Sequence, residues 1–229
     1  MADDINILKM LYWDEAWERI DEERRAIDTA RMPTFGISAL DDALCGILKN
    51  DLVVIGSDSG VGKSDMCLNM ALHNAKNGLK VGLYYLEGGA NEALYRIKWK
   101  MMCDEYYQGG YNHTDMDYRK WRMNKVKSST FDQLEQKCYE KLYERIKTNL
   151  VVADITSGMK VAELTQSFLH AFTTIKKDEH GFDAESINCD LIIIDHLQYF
   201  DLANPKTEYA EMTEILKTVN KICQFYKVP

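Results

Sequence analysis

A glycine-rich segment that ends in a lysine and a serine is the part of this sequence best suited to chemistry. Residues 57–64 read Ser-Asp-Ser-Gly-Val-Gly-Lys-Ser. Glycines allow a backbone to wrap closely around a phosphate group, so that successive N–H groups point inward as donors. Lysine and serine at the end of such a loop bind phosphate and Mg²⁺. The segment therefore predicts a phosphate-binding loop made of Ser57, Asp58, Ser59, Gly60, Val61, Gly62, Lys63 and Ser64.

The loop is flanked by a predicted strand and a predicted helix. The apolar run 52–55 precedes the loop, and a helical pattern runs from about Lys63 to Lys76 before Asn77-Gly78. A helix that starts at the loop would add its positive dipole end to the phosphate site. One position departs from the usual G-x-x-x-x-G-K-[ST] pattern, because Ser57 stands where its first glycine is expected.

Two carboxylates are predicted to lie near this loop. Asp195 ends the apolar run 191–194, and Glu87 ends the run 81–86. The carboxyl ends of parallel strands share one edge of a sheet, where ligands bind. Asp195 could hold Mg²⁺ there, and Glu87 could polarise a water that attacks a γ-phosphate. Each carboxylate also has a simpler interpretation, as a cap or turn residue.

The remaining sequence alternates apolar strands with helices. Strands are predicted at 52–55, 81–86, 150–153 and 191–194, and helices at 63–76, 92–103, 131–147, 161–177 and 209–226. This alternation is typical of an α/β domain in which a mostly parallel sheet is covered on both faces. We expect such a three-layer domain over residues 33–229.

An amphipathic helix over about 5–31 is predicted to precede this domain, with Trp13, Trp17 and Ile20 on its apolar stripe. Residues 1–32 would form a linker or oligomerisation helix that packs on a neighbouring subunit, or the stripe would fold back on its own domain. Residues 106–129 mix aromatic and basic side chains. That stretch is either a surface or interface segment, or a platform on which single-stranded nucleic acid stacks.

Composition limits the classes of function. The 229 residues are 46% hydrophobic and 28% charged, which is ordinary for a globular protein. A formal net charge of −8 disfavours a broad basic surface for DNA. Six cysteines without a C-x-x-C pair indicate free thiols in a reducing cytoplasm. No apolar stretch reaches about 18 residues, so no membrane span is expected.

The combination of motifs resembles the RecA-like ATPases, and most closely the C-terminal motor domain of DnaB-type replicative helicases. The segments that show the resemblance are 36–42, 60–64, 86–87, 151–154 and 194–198. The resemblance implies ATP and Mg²⁺ as cofactors. It implies that Lys63 and Ser64 bind phosphate and metal, that Glu87 is the catalytic base and that Asp195 is the metal-associated acid. Gln198 would couple the nucleotide state to the rest of the subunit.

The same resemblance implies a homo-oligomer, a hexameric ring that moves along single-stranded DNA during replication, with primase or a helicase loader as further partners. Two alternatives remain open. One is a RadA- or KaiC-like ATPase that remodels a partner, and the other is a non-hydrolysing, nucleotide-gated assembly subunit. The presence of both Glu87 and Asp195 favours an enzyme.

Chains of this family continue after their last helix into a strand, then into DNA-binding loops and an arginine that acts on a neighbouring subunit. The present sequence reaches Pro229 where that strand would begin. We therefore expect the C-terminal part of the domain to be missing, and the chain to bind nucleotide better than it hydrolyses it. Asp58 and Asp65 place negative charge near the loop, so we also expect Asp65→Thr to tighten nucleotide binding.

Overall fold

The computed structural model describes residues 13–109, 116–126, 129–154, 159–177, 183–200 and 208–229. The chain divides into two compact units, Met1–Met32 and Pro33–Pro229. In the first unit, helix α1 spans Trp13–Arg25. The predicted helix is wrong beyond Arg25, because Asp28 accepts a hydrogen bond from the Ala30 N–H and starts a separate 3₁₀ turn. Its predicted part before residue 13 lies outside the described residues.

The second unit contains the helices and strands that matter for function. Its helices are α2 (Ser38–Leu44), α3 (Lys63–Lys76), α4 (Gly89–Gln108), α5 (Tyr118–Arg122), α6 (Ser129–Cys138), α7 (Glu144–Ile146), α8 (Val161–Phe172) and α9 (Glu208–Tyr226). Its strands are β1 (Val81–Tyr85), β2 (Leu150–Val152), β3 (Thr173–Lys177), β4 (Asp183–Ile187) and β5 (Leu191–Asp195). A π-helical stretch, Tyr139–Tyr143, connects α6 to α7.

A parallel sheet in the order β2–β1–β5 forms the centre of this unit. Val81 is paired with Leu150 on one side and with Leu191 on the other. At the far end of the same strands, Tyr85 is paired with Asp195. This register places the carboxyl ends of β1 and β5 at one edge of the sheet, as the sequence predicts.

Side chains of the sheet alternate between two cores, as the pleat of a strand requires. Leu83 and Ile193 pack in one core with α3 and α4. Tyr84, Ile192 and Ile194 belong to the second core, which includes side chains of α8 and α9. Helices thus cover both faces of the sheet, and the predicted α/β three-layer arrangement is confirmed.

The prediction of a strand at 52–55 is wrong, because this segment has no regular secondary structure. A strand is stable only beside a hydrogen-bonded neighbour. Residues 52–55 line a cavity together with β5 instead of pairing with it. On this edge of β5, the Ile192 N–H donates to the Pro229 carbonyl at 2.8 Å. Val54 is accordingly 64% exposed, although its residue type suits a buried strand.

The helix predicted over 161–177 is also wrong in its last part. Helix α8 ends at Phe172, and Thr173–Lys177 forms a strand that pairs antiparallel with Asp183–Ile187. The hydroxyl groups of Thr174 and Ser186 hydrogen-bond across this ribbon at 3.0 Å. β-branched residues at the end of α8 favour extended backbone once such a partner is present.

The aromatic residues of 106–129 are largely used in packing. Trp121 lies 5.4 Å from Trp99 of α4, ring centroid to ring centroid, and its indole N–H donates to Glu135 at 2.6 Å. Tyr118 packs against the same Trp99 at 5.9 Å. These contacts dock α5 on α4 and favour the surface-segment interpretation. Residues 110–115 and 127–128 of this stretch lie outside the described residues.

No helix among the described residues is both long and apolar enough to cross a membrane.

A glycine in the middle of β1 allows the second core to close. A Cβ atom added at Gly82 would lie 2.8 Å from the Phe172 ring. We therefore predict that Gly82→Ala lowers the free energy of unfolding by about 1–3 kcal/mol, because the buried ring has to move. Urea denaturation followed by circular dichroism would measure the loss. Gly56→Ala is the control, since a Cβ there meets nothing within 4 Å. Equal stability of the two variants would contradict this account of the packing.

Candidate phosphate-binding site

The glycine-rich loop leads directly into helix α3. Gly60 and Gly62 have φ angles of +81° and +102°, a backbone conformation that favours glycine. Gly62 is the N-cap residue, so Lys63 and Ser64 are the first two residues of α3. The first turn of the helix thus follows the loop, and its N–H groups and dipole favour an anion.

The lysine of the loop is held by the loop itself. Its Nζ donates to the carbonyl oxygens of Ser57 at 2.6 Å and of Asp58 at 2.8 Å. These are backbone contacts within one loop, and they place the ammonium group among residues 57–63. A phosphate group bound by Lys63 would take the place of these carbonyls as the partner of the ammonium.

The serine of the loop contacts the carboxylate predicted as the catalytic base. The Ser64 hydroxyl donates to Glu87 Oε2 at 3.4 Å. Glu87 follows β1 closely and is exposed, so its carboxylate is open to water. The structure therefore brings Glu87 to the beginning of α3, as the shared sheet edge predicts.

Asp195 is the buried acid of the site. It ends β5, is 2% exposed and is joined to His196 by a cis peptide bond. Its Oδ2 atom is buried without a hydrogen-bond partner among the described residues. Burial, helped by the charge of Asp195, raises the pKa of the Cys67 thiol on α3 to about 12. The carboxylate thus lies near Cys67 of α3.

One cavity of about 370 Å³ brings several predicted residues together. Ser57, Lys63, Asp195 and Gln198 all line it, together with Cys67. Gln198 lies in a 3₁₀ turn just after β5 and is exposed. The other predicted loop residues, Asp58, Ser59, Gly60 and Val61, are exposed on the loop.

The oxygen donors of this site suit Mg²⁺. This ion is bound in nucleotide sites by one or two carboxylates with phosphate oxygens and water, and not by dedicated protein cages. Asp195 Oδ2 is an unpartnered carboxylate oxygen, and the Ser64 hydroxyl is a second oxygen donor. Among the described residues no group of three or more His, Cys, Asp or Glu could hold a metal ion. The donor set therefore fits a metal shared with phosphate.

Helix α4 adds charged side chains beside the loop that sequence reasoning did not single out. Asp65 pairs with Lys100 at 3.3 Å and with Arg96 at 3.9 Å. Arg96 also donates to Glu92 at 2.8 Å, and Arg122 of α5 contacts the same carboxylate. Burial opposes the ionised form of Glu92, but the hydrogen bonds from Arg96 and Arg122 hold its pKa below its usual range.

Sequence reasoning also did not single out Cys67, which lines the cavity, or Tyr85, which is paired with Asp195. Helical spacing could have placed Cys67 one turn after Lys63, on the face turned toward the sheet. Strand alternation could have placed Tyr85 on the same face of β1 as Val81 and Leu83, but its aromatic side chain indicated only a core position.

Known proteins resemble this chain in sequence and in fold. The family model for the DnaB-like helicase C terminal domain matches residues 32–229. The replicative DNA helicase DnaC of Bacillus subtilis (strain 168) is 24% identical over 219 residues, which cover 94% of this chain and 42% of the relative. The chain thus spans less than half the length of this curated relative.

Two solved structures have a similar fold. One is of a DnaB-like replicative helicase and its interactions with primase, with a TM-score of 0.68, 18% identity and coverage of 95% of this chain and 47% of the other. The second is of an isolated ATPase domain, with a TM-score of 0.69, 18% identity and coverage of 96% of this chain and 69% of the other. At this level of identity the two structures establish the fold alone.

The family match covers all of the unit that contains the sheet, the loop and Asp195. That family implies nucleotide binding. The chain belongs to the DnaB-like helicase C-terminal domain family.

Proposed function

We propose that this chain is the ATP-binding and ATP-hydrolysing motor domain of a DnaB-like hexameric helicase that moves along single-stranded DNA in replication. The main observation in support is the buried, unpartnered oxygen of Asp195, which lines one cavity with the loop lysine. Burying a carboxylate oxygen without a partner is costly, so such a group marks a binding site for a cation or a proton.

Each loop residue has a role that follows from its position. The N–H groups of 57–62 would face the phosphates, and Lys63 would bind the β- and γ-phosphates once it leaves the loop carbonyls. Ser64 and Asp195 would hold Mg²⁺, which neutralises phosphate charge when it is bound. These roles use only the loop, the first two residues of α3 and the last residue of β5.

Glu87 would act on the attacking water. Its carboxylate is exposed and lies 3.4 Å from the Ser64 hydroxyl, so a water beside a phosphate on the loop is within its reach. Gln198 lines the cavity just after β5 and would sense the state of the nucleotide there. A change at Gln198 could be passed on through the 3₁₀ turn of Leu197–Tyr199.

The partners follow from the proposed motor. The proposed partners are identical subunits in a hexameric ring, single-stranded DNA, and a primase or helicase loader. One similar structure is of a DnaB-like replicative helicase and its interactions with primase, which supports primase as a partner. A cytoplasmic location agrees with six free cysteines.

Helix α1 is the proposed contact between subunits. Trp17 and Ile20 are 57% and 52% exposed on this helix, which belongs to the separate unit Met1–Met32. Large exposed apolar side chains are typical of interfaces, where aromatic anchors contribute most of the binding energy. The pair therefore supports residues 1–32 as the oligomerisation segment, with α1 as its contact.

The position of Asp65 changes how its charge acts on a nucleotide. The pairs with Lys100 and Arg96 draw the carboxylate toward α4 and offset part of its negative charge. Removing the carboxylate would both delete a negative charge and release two cations near the loop. Both effects favour a bound triphosphate.

We predict that Asp65→Thr tightens nucleotide binding by about two- to fivefold at low salt, the usual range for exposed charge pairs. Calorimetric titration with ADP and Mg²⁺ at two salt concentrations would measure the change. The gain should shrink at high salt because exposed charges are screened. Asp104→Thr is the control, because this exposed acid pairs with Lys76 at the opposite end of α3. Unchanged affinity at both salt concentrations would remove this role of Asp65.

The proposed activity predicts ATP turnover that single-stranded DNA stimulates. Glu87→Gln should lower this turnover by about 10²- to 10⁴-fold, because a general base contributes that much. The same variant should still bind nucleotide, since the loop is intact. A phosphate-release assay on the complete natural protein, with and without DNA, tests this. Asp132→Asn, an exposed acid on α6, is the control.

Two outcomes would contradict the proposal in different ways. Nucleotide binding without DNA-stimulated turnover would exclude the helicase and favour a nucleotide-gated assembly subunit. Turnover that a protein partner stimulates but DNA does not would favour the RadA- or KaiC-like alternative.

We predict that Trp17→Ala together with Ile20→Ala lowers the assembled fraction measured by light scattering. The two truncations remove exposed apolar surface from α1 without touching the unit that holds the loop. Glu18→Ala and Glu22→Ala on the same helix are the control. An unchanged mass would exclude α1 as the subunit contact.

A further inference from the structure

The short turn after β5 carries Gln198, the residue proposed to sense the nucleotide. This 3₁₀ turn spans Leu197–Tyr199, and the Tyr199 N–H closes it by donating to the His196 carbonyl at 3.1 Å. Hydrogen bonds in 3₁₀ geometry are poorer than those of an α-helix. Side-chain contacts therefore matter for the shape of so short a turn.

Two aromatic rings clasp this turn. The rings of His196 and Tyr199 lie 4.7 Å apart, centroid to centroid, at an interplanar angle of 73°. Such an edge-to-face arrangement is favourable for a pair of aromatic rings. The contact follows from the backbone, because side chains three residues apart eclipse each other in a 3₁₀ turn. The same two residues thus close the turn twice, by a backbone hydrogen bond and by a ring contact.

The side chains between the two rings face the site. Leu197 packs against the second core and lines the cavity that contains Asp195. Gln198 is exposed and lines the same cavity. Tyr199 is outside the described lining of that cavity. Its ring therefore acts on a ligand in the cavity through the turn and not by contact.

Both ends of the turn are held by the rest of the unit. His196 directly follows Asp195, the last residue of β5. At the other end, Phe200 is buried in the second core and forms a β-bridge with Met159. With the ends fixed, the shape of the turn decides where the Gln198 carboxamide lies. The ring pair supports that shape, and a group that recognises a ligand requires such support.

We propose that Tyr199 is a positioning residue, whose ring contact with His196 holds the turn so that Gln198 distinguishes a nucleoside triphosphate from a diphosphate. This inference rests on the proposed function and deepens the role of Gln198 in it. Gln198 shares its cavity with Lys63, the proposed partner of the β- and γ-phosphates. A carboxamide held there can donate to a phosphate oxygen that a diphosphate lacks.

A second ring pair on the surface provides a matched control. Tyr139 and Tyr143 are stacked with their centroids also 4.7 Å apart, and Tyr143 is 41% exposed, compared with 45% for Tyr199. Tyr143 lies on the π-helical stretch between α6 and α7, outside the described lining of the cavity. Tyr143→Ala and Tyr199→Ala therefore each break one exposed ring pair. A merely structural role predicts the same result for both variants.

The test is calorimetric titration of this chain with ADP and with ATPγS, both in Mg²⁺. The unaltered chain should bind ATPγS more tightly than ADP. Gln198→Ala should weaken ATPγS binding by about fivefold, the value of one net hydrogen bond, and leave ADP binding unchanged. Tyr199→Ala should show the same selective loss. Tyr199→Phe, which keeps the ring, and Tyr143→Ala should bind both nucleotides as the unaltered chain does.

A double variant tests whether Tyr199 acts through Gln198. In a Gln198→Ala background, Tyr199→Ala should cause no further loss of ATPγS affinity, because the carboxamide that it positions is gone. A full additional loss in that background would overturn the inference. Equal weakening of ADP and ATPγS binding in Tyr199→Ala would also overturn it, and so would a loss in Tyr199→Phe as large as that in Tyr199→Ala.

The remaining outcomes separate the inference from the function on which it rests. If Gln198→Ala weakens ATPγS binding selectively and Tyr199→Ala does not, the inference is wrong while the site stands. If the unaltered chain shows no preference for ATPγS, or Gln198→Ala leaves that preference unchanged, Tyr199 has no sensor to position and the inference is wrong. If the unaltered chain binds neither nucleotide, the proposed function fails and the inference fails with it.

Discussion

The parallel register between β1 and β5 is the constraint on which the rest of this structure depends. It ends both strands at one sheet edge, so that Tyr85 lies opposite Asp195 and Glu87 lies just beyond. Helix α3 packs on one face of the same sheet and starts at this edge with Lys63 and Ser64. Backbone pairing thus brings together Lys63, Ser64, Glu87 and Asp195, the residues of the proposed site.

The electrostatics of the site follow from that placement. Asp195 is buried with an unpartnered oxygen, whereas the loop residues around Lys63 are exposed. A buried carboxylate and an open loop together suit a charged ligand that brings its own cation, since the ion satisfies the carboxylate and the loop N–H groups satisfy the phosphate. On α4, the cations Arg96 and Lys100 are balanced by Glu92 and Asp65, so they shape the local field without adding a large net charge.

The sequence predicted the parts of this site that depend on local chemistry. The loop, the helix over Lys63–Lys76 and the strand that ends at Asp195 all follow from glycine, capping and apolar patterns.

Long-range pairing was harder to predict. The apolar run 52–55 resembles a strand, but no hydrogen-bonded neighbour is present for it among the described residues. Thr173–Lys177 continues the helical sequence pattern of α8, but the segment forms a strand because it pairs with β4.

The most direct test of this account is a crystal structure with a non-hydrolysable ATP analogue and Mn²⁺ in place of Mg²⁺. We predict an anomalous peak for Mn²⁺ between Ser64 Oγ and Asp195, with Lys63 Nζ moved from the carbonyls of Ser57 and Asp58 to the phosphates. A nucleotide bound elsewhere, or an ion remote from Asp195 while Lys63 keeps its loop contacts, would contradict the account.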